Sequence, residues 1–285
     1  MGNTGIRARR ISGFGLVTAD AARLTSFYEA AFGARRVSTA RLDGAERRTL
    51  RLGEETVDIL QMDVPGRPYP GALTPADTAF QHFALVVSDM NLALGRLRGL
   101  PGWTPISSAG PQHLPQRSGG VTAFKFRDPD GHPLELLDFA DGAVPPAWEQ
   151  RAAGGLFLGI DHSAISVRDT TASTAFYRSL GFSVTAQTFN HGEEQANLDG
   201  IPDPQLEVTA LSLAAPIPHV ELLCYRSGSH APRRVVSSND VAATRIALAV
   251  DRPQHGAAAA PTLIVDPDGH HLLLAASPAT QHPPV

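Results

Sequence analysis

The chain has 285 residues, of which 42% are hydrophobic and 18% charged, and its net charge is −4 at pH 7. That length suits about two ordinary domains, and the composition excludes a disordered chain. Nucleic acid is not an expected partner because the chain has no surplus of basic residues. A membrane is not expected either, because no run of about 20 apolar residues could span it. The single cysteine, Cys224, argues against a disulfide framework and suits a reducing compartment, so we expect a cytoplasmic protein.

Four stretches along the chain share a pattern in which apolar and small residues lead to an aspartate. They are residues 13–20, which fit least well, and residues 82–89, 162–169 and 245–251. Alternation with a period of two indicates a strand, and aspartate can cap a helix that follows. We therefore expect each stretch to be the first strand of a repeated unit.

Two of the expected helices carry a further shared signature. Seven residues after the aspartate comes Phe-Tyr, and a glycine follows, as in Phe27-Tyr28 with Gly33 and in Phe176-Tyr177 with Gly181. Glycine commonly follows the last turn of a helix because it adopts the left-handed backbone conformation. The aromatic pairs are therefore expected in the core of helices that end at these glycines.

Two nearly identical segments predict β-hairpins. Residues 126–132 and 264–270 each place Asp-Pro-Asp-Gly-His between two apolar runs. Proline and glycine at such positions are typical of tight turns between strands. Because they adjoin these turns, His132, His270 and His271 are expected to be exposed.

The repeated signatures divide the chain into two domains, residues 11–140 and 157–276. Residues 141–155 between them are rich in proline, glycine and alanine, which predicts a linker. Each half divides again, so that four units of roughly 60–70 residues each follow the order strand, helix, further strands. This order predicts the α+β class, with helices packed on one face of strongly curved sheets.

Taken together, the first-strand pattern, the Asp with its Phe-Tyr, and the Asp-Pro-Asp-Gly-His hairpin resemble the vicinal oxygen chelate superfamily over nearly the whole chain. That superfamily includes glyoxalases, bleomycin-resistance proteins, fosfomycin-modifying enzymes and extradiol dioxygenases. The resemblance implies four βαβββ units in two glyoxalase-like domains, with curved mixed sheets that form half-barrels around a divalent metal ion. The metal ligands are then expected on the first and the last strand of a unit.

Each unit therefore has one candidate ligand position on its first strand and one on its last strand. In unit order these pairs are Gly13 with Asp58, His82 with Glu135, His162 with Glu221, and Arg245 with Leu273. If each half closed on itself, both metal sites would be half-built. If unit two instead pairs with unit three, one complete His2Glu2 site results. We favour this second arrangement, which the lactoylglutathione lyases resemble.

Imidazole and carboxylate ligands suit Zn, Ni, Fe, Mn or Co, and such an ion stabilises an enolate while a carboxylate moves the proton. By resemblance to glyoxalase I, Glu135 is the expected base, with Glu221 as its counterpart across the metal. Lactoylglutathione lyases hold glutathione with an Arg and an Asn, and the matching positions here are Ser166 and Tyr225. We therefore expect a glyoxalase-like lyase, isomerase or epimerase for a small carbonyl or hydroxyl metabolite other than a glutathione adduct.

Residues 190–197 are unusually polar for the second strand of a unit, which lines the pocket in this fold. On that interpretation Asn190, Gln195 and Asn197 hydrogen-bond the substrate, and Tyr225 also contacts it. A solvated edge strand is the alternative interpretation of the same segment.

Two further functions stay open. An extradiol-type Fe(II) dioxygenase needs two histidines and a glutamate, but in two-domain members these come from units three and four, where this chain has His162, Arg245 and Leu273. A small-molecule binding or resistance protein is the non-catalytic alternative, although such members generally lack the ligands. The sequence leaves both a monomer and a homodimer open.

Overall fold

A computed structural model describes residues 7–71, 73–140, 142–151, 155–226, 235–251 and 260–276. Residues 141 and 152–154 of the predicted linker lie outside this description, and the described part of the linker contains a short helix. The helix expected after Asp251 falls on residues 252–259, which also lie outside it. Among the described helices, none has the length and apolarity needed to span a membrane.

The first half of the chain forms two units. Unit one consists of β1 (Ala8–Thr18), α1 (Ala21–Phe32), β2 (Arg35–Leu42), β3 (Ala45–Leu52) and β4 (Glu55–Met62). Unit two consists of β5 (Gln81–Val87), α2 (Met90–Arg98), β6 (Thr104–Pro105), β7 (Gln112–His113), a 3-10 turn (Gln116–Ser118), β8 (Val121–Arg127) and β9 (Pro133–Phe139).

The helix α3 (Pro146–Arg151) leads to the second half, which also forms two units. Unit three consists of β10 (Phe157–Ser166), α4 (Thr170–Ser179), β11 (Ser183–His191), α5 (Glu193–Asp199), β12 (Gln205–Ser212) and β13 (His219–Tyr225). The described part of unit four consists of β14 (Arg245–Val250), β15 (Thr262–Val265) and β16 (His271–Ala276). The α+β class is confirmed.

The strands form two mixed sheets, and each sheet combines one unit from each half of the chain. The first sheet has the order β15-β16-β14-β1-β4-β3-β2 and therefore joins units four and one. The second has the order β11-β12-β13-β10-β5-β9-β8-β6, with β7 beside β8, and joins units three and two. The favoured pairing of unit two with unit three is thus confirmed, while the domain boundaries 11–140 and 157–276 stay a prediction.

The strand register places the candidate ligand positions at the same two points in each of the four units. In every unit the last-strand residue pairs with a small residue that lies two positions after the first-strand residue. The four pairs are Gly15 with Asp58, Ala84 with Glu135, Ala164 with Glu221, and Ala247 with Leu273. Because residues two apart on a strand share a face, both candidate positions of a unit lie on the same face of its sheet.

The helices begin and end where the sequence predicts. Asp20 caps α1 by accepting a hydrogen bond from the backbone N–H of Arg23, and Asp89 and Asp169 cap α2 and α4 in the same way. Gly33 follows α1 in the left-handed conformation, at φ 67°. The first-strand aspartates therefore end the strand and begin the helix, because their side chains satisfy N–H groups that have no partner within the helix.

The Asp-Pro-Asp-Gly-His hairpins connect the two sheets, which corrects the expectation that their histidines are exposed. His132 Nε2 in the second sheet lies 3.0 Å from the backbone oxygen of Val17 in the first. His270 Nε2 in the first sheet lies 3.0 Å from the backbone oxygen of Ser166 in the second. These two residues and His271 are all buried. The expectation was wrong because the surface that covers each turn comes from a distant part of the chain.

The tyrosines of the Phe-Tyr pairs contact the same hairpins. Tyr28 donates to Asp128 over 3.2 Å, and Tyr177 donates to Asp266 over 3.4 Å, in both cases with the phenol buried. The helix of unit one thus contacts the hairpin of unit two, and the helix of unit three contacts the hairpin of unit four.

Both sheets bury one face in a shared core. Phe14 of β1 stacks on Phe83 of β5 with their ring centroids 5.4 Å apart, and the helices α1 and α2 add residues such as Leu24 and Leu94 to the same cluster. Because side chains alternate along a strand, His82 points away from the core that contains Phe83. The opposite face of the second sheet is therefore available for a polar site.

Candidate functional site

A cavity of about 280 Å³ lies on the face of the second sheet that points away from the shared core. Four adjacent strands supply two histidines and two glutamates to its lining: His82 from β5, Glu135 from β9, His162 from β10 and Glu221 from β13. The structure therefore brings together the four residues proposed as metal ligands.

The strand register explains why the four side chains converge. Ala84 pairs with both Glu135 and His162, and Ala164 pairs with both His82 and Glu221. Two buried alanines thus occupy the centre of the site, and each is flanked by one histidine and one glutamate. Their methyl groups leave free the space into which the longer side chains reach.

The distances within the cluster are short. Glu135 Oε2 lies 3.0 Å from His82 Nε2 and 3.5 Å from His162 Nε2. His162 Nε2 also lies 3.6 Å from Glu221 Oε2. Two ligand atoms about 2.1 Å from one ion and at right angles to each other are about 3.0 Å apart. His82, Glu135 and His162 form the tight group, and Glu221 adjoins it through His162.

The orientation of His162 fits a metal ligand. Its Nδ1 lies 3.0 Å from Asp161 Oδ2, and because a carboxylate only accepts, Nδ1 carries the proton. Its buried Nε2 has no hydrogen-bond partner among the described residues and faces two carboxylates. A lone pair in that position is stabilised by a cation, and a carboxylate on the other ring nitrogen is the usual support of a metal-binding histidine.

The helix α3 in turn supports Asp161. Trp148 is fully buried and its Nε1 donates to Asp161 Oδ1 over 3.1 Å. One oxygen of Asp161 thus accepts from Trp148 and the other from His162. The segment predicted as a linker therefore contributes to the position of a candidate ligand.

The charges of the cluster keep both glutamates ionised. Burial acts to raise the pKa of Glu221, but His162 and His219 lower it to about 2. Burial likewise acts to raise the pKa of Glu135, which Lys125 and His82 hold well below its usual range. Burial acts to lower the pKa of His162, but the charge of Glu221, together with the carboxylates of Asp161 and Glu135, raises it well above its ordinary value. The cluster therefore favours positive charge at its centre.

The two glutamates differ in exposure. The Glu135 side chain is 6% exposed, and its Oε1 lies 4.0 Å from Lys125 Nζ. The Glu221 side chain is 24% exposed, and its Oε1 lies 3.5 Å from His219 Nε2. Glu135 thus lies deep in the cavity, whereas Glu221 lies nearer to its opening.

Of the residues expected to bind substrate, Asn190 and Gln195 line the cavity. Asn197 and Tyr225 are absent from the described lining. Asn197 instead accepts hydrogen bonds from Ser108, and the Tyr225 hydroxyl donates to Asp199 over 2.8 Å. Tyr225 therefore supports the cavity wall through Asp199.

The expectation that residues 190–197 form a strand is wrong for most of the segment. β11 ends at His191, Gly192 turns the chain with φ 98°, and α5 follows. Helix-forming residues between Gly192 and Gly200 indicate this helix in the sequence, and Gly200 ends it in the left-handed conformation. The polarity of residues 190–197 agrees with the place of Asn190 and Gln195 in the cavity wall, but a single strand does not account for the turn at Gly192.

Sequence reasoning missed two carboxylates beside the cavity, the partly buried Asp161 and the buried Asp199. Asp161 supports His162, and its position next to a candidate ligand is the signal that could have identified it. Asp199 accepts from Lys125 Nζ over 2.7 Å, from Gln195 and from Tyr225. Its three partners come from three different elements, so no local pattern indicates its role.

The equivalent positions of the first sheet form no comparable cluster among the described residues. A Cβ at Gly13 would lie 2.3 Å from Thr56 Oγ1, so the backbone of β1 runs against β4 where the other units have a side chain. Asp58 accepts from Thr49 over 2.6 Å.

Comparison with known families accounts for the repeat. The sequence model of the Glyoxalase/Bleomycin resistance protein/Dioxygenase superfamily matches residues 10–136 and again residues 159–284. The chain belongs to this superfamily. A search of curated proteins finds no significant match.

Solved structures of the superfamily share the fold over nearly the whole chain. Glyoxalase I from Zea mays is 16% identical, with a TM-score of 0.60, and the match covers 96% of this chain and 94% of that one. A putative dioxygenase from Bacillus subtilis subsp. subtilis str. 168 is 12% identical, with a TM-score of 0.58, and the match covers 95% of this chain and 86% of that one. At these identities the similarity shows a common fold and leaves the reaction open.

Proposed function

We propose that this glyoxalase-superfamily member is a metal-dependent lyase, isomerase or epimerase that acts on a small oxygen-chelating metabolite without glutathione. The observation that carries this proposal is the convergence of two histidines and two glutamates from four adjacent strands on one cavity. His82, Glu135, His162 and Glu221 would hold one divalent ion, which is Zn, Ni, Fe, Mn or Co by the chemistry of these ligands.

The bound ion would act as a Lewis acid that stabilises negative charge on substrate oxygen. Glu135 takes up the proton next to the substrate carbonyl, and Glu221 on the other side of the cluster is the second proton carrier. Lys125 and His82 hold the pKa of Glu135 well below its usual range, so its carboxylate form, which can accept a proton, is present at neutral pH. The apolar residues Leu137, Leu206 and Val208 limit the access of water to the reacting atoms.

Metal content is the first test. Wild type purified without chelators should carry one divalent ion per chain, and His82→Ala and Glu221→Ala should lower the occupancy. Asp58→Ala changes the equivalent carboxylate of the first sheet and should leave it unchanged. If either site variant keeps full occupancy, the four-residue site is wrong. Absence of metal from wild type would favour a non-catalytic binding protein.

Proton exchange tests the reaction class. An enolate mechanism exchanges the hydrogen next to a carbonyl with solvent, which NMR follows in D2O with a neutral α-hydroxyketone. Glu135→Gln should lose this exchange because the amide accepts no proton, and its metal content is measured in parallel. Exchange at the wild-type rate in Glu135→Gln would exclude that residue as the base.

One observation favours a dioxygenase as the second candidate. The tight group of His82, His162 and Glu135 is a set of two histidines and one carboxylate, which is the ligand type of non-haem Fe(II) oxygenases. Protein loaded with Fe(II) under nitrogen and then given a catechol in air would consume oxygen if this were the function. Oxygen consumption that depends on His82 and His162, without proton exchange, would replace the isomerase proposal.

A further inference from the structure

The wall of the cavity contains two buried acceptors that the protein leaves free. Asn190 Oδ1 and Gln195 Oε1 have no hydrogen-bond partner among the described residues, although the two residues are only 8% and 3% exposed. Both residues line the cavity, on either side of the turn at Gly192. A buried carbonyl oxygen without a partner destabilises a protein, so a ligand that donates a hydrogen bond would relieve it.

The orientation of the Gln195 amide is determined by its neighbour. Its Nε2 donates to Asp199 Oδ2 over 2.7 Å, and the reverse orientation would place two acceptors against each other. Its oxygen is therefore directed away from Asp199. The Gln195 oxygen can accept a hydrogen bond from a hydroxyl or N–H group of a ligand. It would repel a carboxylate or phosphate oxygen, because both atoms carry negative charge.

The same carboxylate connects this wall to the candidate metal ligands. Lys125 Nζ lies 2.7 Å from Asp199 Oδ1 and 4.0 Å from Glu135 Oε1. Gln195 is thus separated from Glu135 by two intervening side chains. The candidate metal ligands and the two free acceptors line one cavity of about 280 Å³, which has room for a ligand of one substituted ring.

The charge of the cavity argues against an anionic ligand. Lys125 is the only lysine or arginine among the described lining residues, and it is already paired with buried Asp199. Asp161, Glu135 and Glu221 all add negative charge. The remaining wall is apolar and includes Leu114, which suits an apolar ligand body.

We propose that the substrate is an uncharged hydroxylated carbonyl compound with a compact apolar body, whose distal hydroxyl group donates to the free carbonyl oxygen of Asn190 or of Gln195. This proposal rests on the metal-dependent function proposed above for the other end of the molecule. It assigns the two carboxamides to the recognition of a neutral donor.

Three probes that differ only in the substituent at one ring position test the proposal. Each is a 2-hydroxyacetophenone, with a hydroxyl, a methoxy or a carboxylate group at the 4′ position of the ring. Calorimetry or ligand-observed NMR with the metal-loaded protein should show that the 4′-hydroxyl compound binds about tenfold more tightly than the 4′-methoxy compound, as one hydrogen bond to a buried acceptor contributes. The carboxylate should bind most weakly.

Two variants remove the acceptors with little change of volume. At least one of Asn190→Leu and Gln195→Met, the variant that removes the acceptor in use, should reduce the preference for the 4′-hydroxyl group. The control Gln187→Leu lies on the same strand as Asn190, is exposed and points to the other face, so it should keep the preference. Circular dichroism of each variant checks that it is folded.

The proposal is overturned if wild type binds the hydroxyl and methoxy probes equally, binds the carboxylate best, or binds none of them at about 10 mM. It is also overturned if the preference survives in both variants. Metal content is measured on the same samples. If wild type carries no metal but still prefers the hydroxyl probe, the function proposed for the cluster fails while this inference stands.

Discussion

Replacing Asp161 with asparagine tests how the protein prepares His162 for a metal ion. The two oxygens of Asp161 accept from His162 Nδ1 over 3.0 Å and from Trp148 Nε1 over 3.1 Å. Asparagine has one oxygen and one NH2 group, so Asp161→Asn turns an N–H group toward one of these donors. If that partner is His162, the ring proton moves to Nε2, which can then no longer bind a metal ion.

We expect Asp161→Asn to weaken metal binding about 10- to 100-fold, which corresponds to about 1.4–2.7 kcal/mol. Titration of Zn2+ against a fluorescent chelator at about pH 7.5 measures the affinity of both proteins. The matched control is Glu207→Gln, because Glu207 lies on β12 between the cavity residues Leu206 and Val208 and therefore points to the other face. An affinity within threefold of wild type in Asp161→Asn, while His162→Ala has lost binding, would refute the reasoning.

Three further predictions concern stability. Metal-free protein should lose thermal stability as the pH rises above about 6.5. The pKa of His162 is higher in the folded than in the unfolded protein, so protonation of its ring stabilises the fold fully at a pH below the unfolded pKa. This stabilisation is lost as the pH rises through the folded pKa. Tyr28→Phe should lower the free energy of unfolding by about 1 kcal/mol in urea, since it removes the buried hydrogen bond to Asp128. Gly13→Ala should lower it by about 1–3 kcal/mol, because the new Cβ would lie 2.7 Å from the backbone oxygen of Thr56.

Each of these predictions has a direct control. His162→Gln should remove the pH-dependent part of the melting curve, and an unchanged slope would assign it to another group. Gly95 lies in α2, where an added methyl group would meet no neighbouring element within 4 Å, so Gly95→Ala should raise stability by up to about 1 kcal/mol. Tyr28→Phe should leave metal content unchanged, and equal stability of Gly13→Ala and wild type would show that β1 can move away from β4.

Much of the fold follows from local chemistry. Aspartate at the end of a strand caps the next helix whatever surrounds it, as Asp20 and Asp169 do, and glycine after the last turn ends a helix, as Gly33 does. The pairing of unit two with unit three was predictable for a different reason. Only that pairing assembles His82, Glu135, His162 and Glu221 into one complete ligand set.

Other features could not be predicted because they depend on parts of the chain that lie far apart. The exposure expected for His132 was wrong because β1, more than 100 residues earlier, supplies the acceptor. Asp199 accepts hydrogen bonds from Lys125, Gln195 and Tyr225, which belong to three different elements. Only the packing of these elements shows that the Asp199 carboxylate has three donors. The prediction misses the helix α5, although its residues favour a helix, because it takes the polar segment as part of the second strand of unit three.

The sequence by itself determined the repeat, the caps and the turns, since each of these depends on residue type and spacing along one stretch of chain. The four candidate ligands followed from the resemblance of that repeat to a known superfamily. Only the tertiary structure decided which face of the sheet carries the cavity, how Asp161 and Trp148 orient His162, and which acceptors remain free in the wall. The physical reason is that the affinity of a ligand set depends on hydrogen bonds and buried charges around it, and these come from residues that the chain brings together only when it folds.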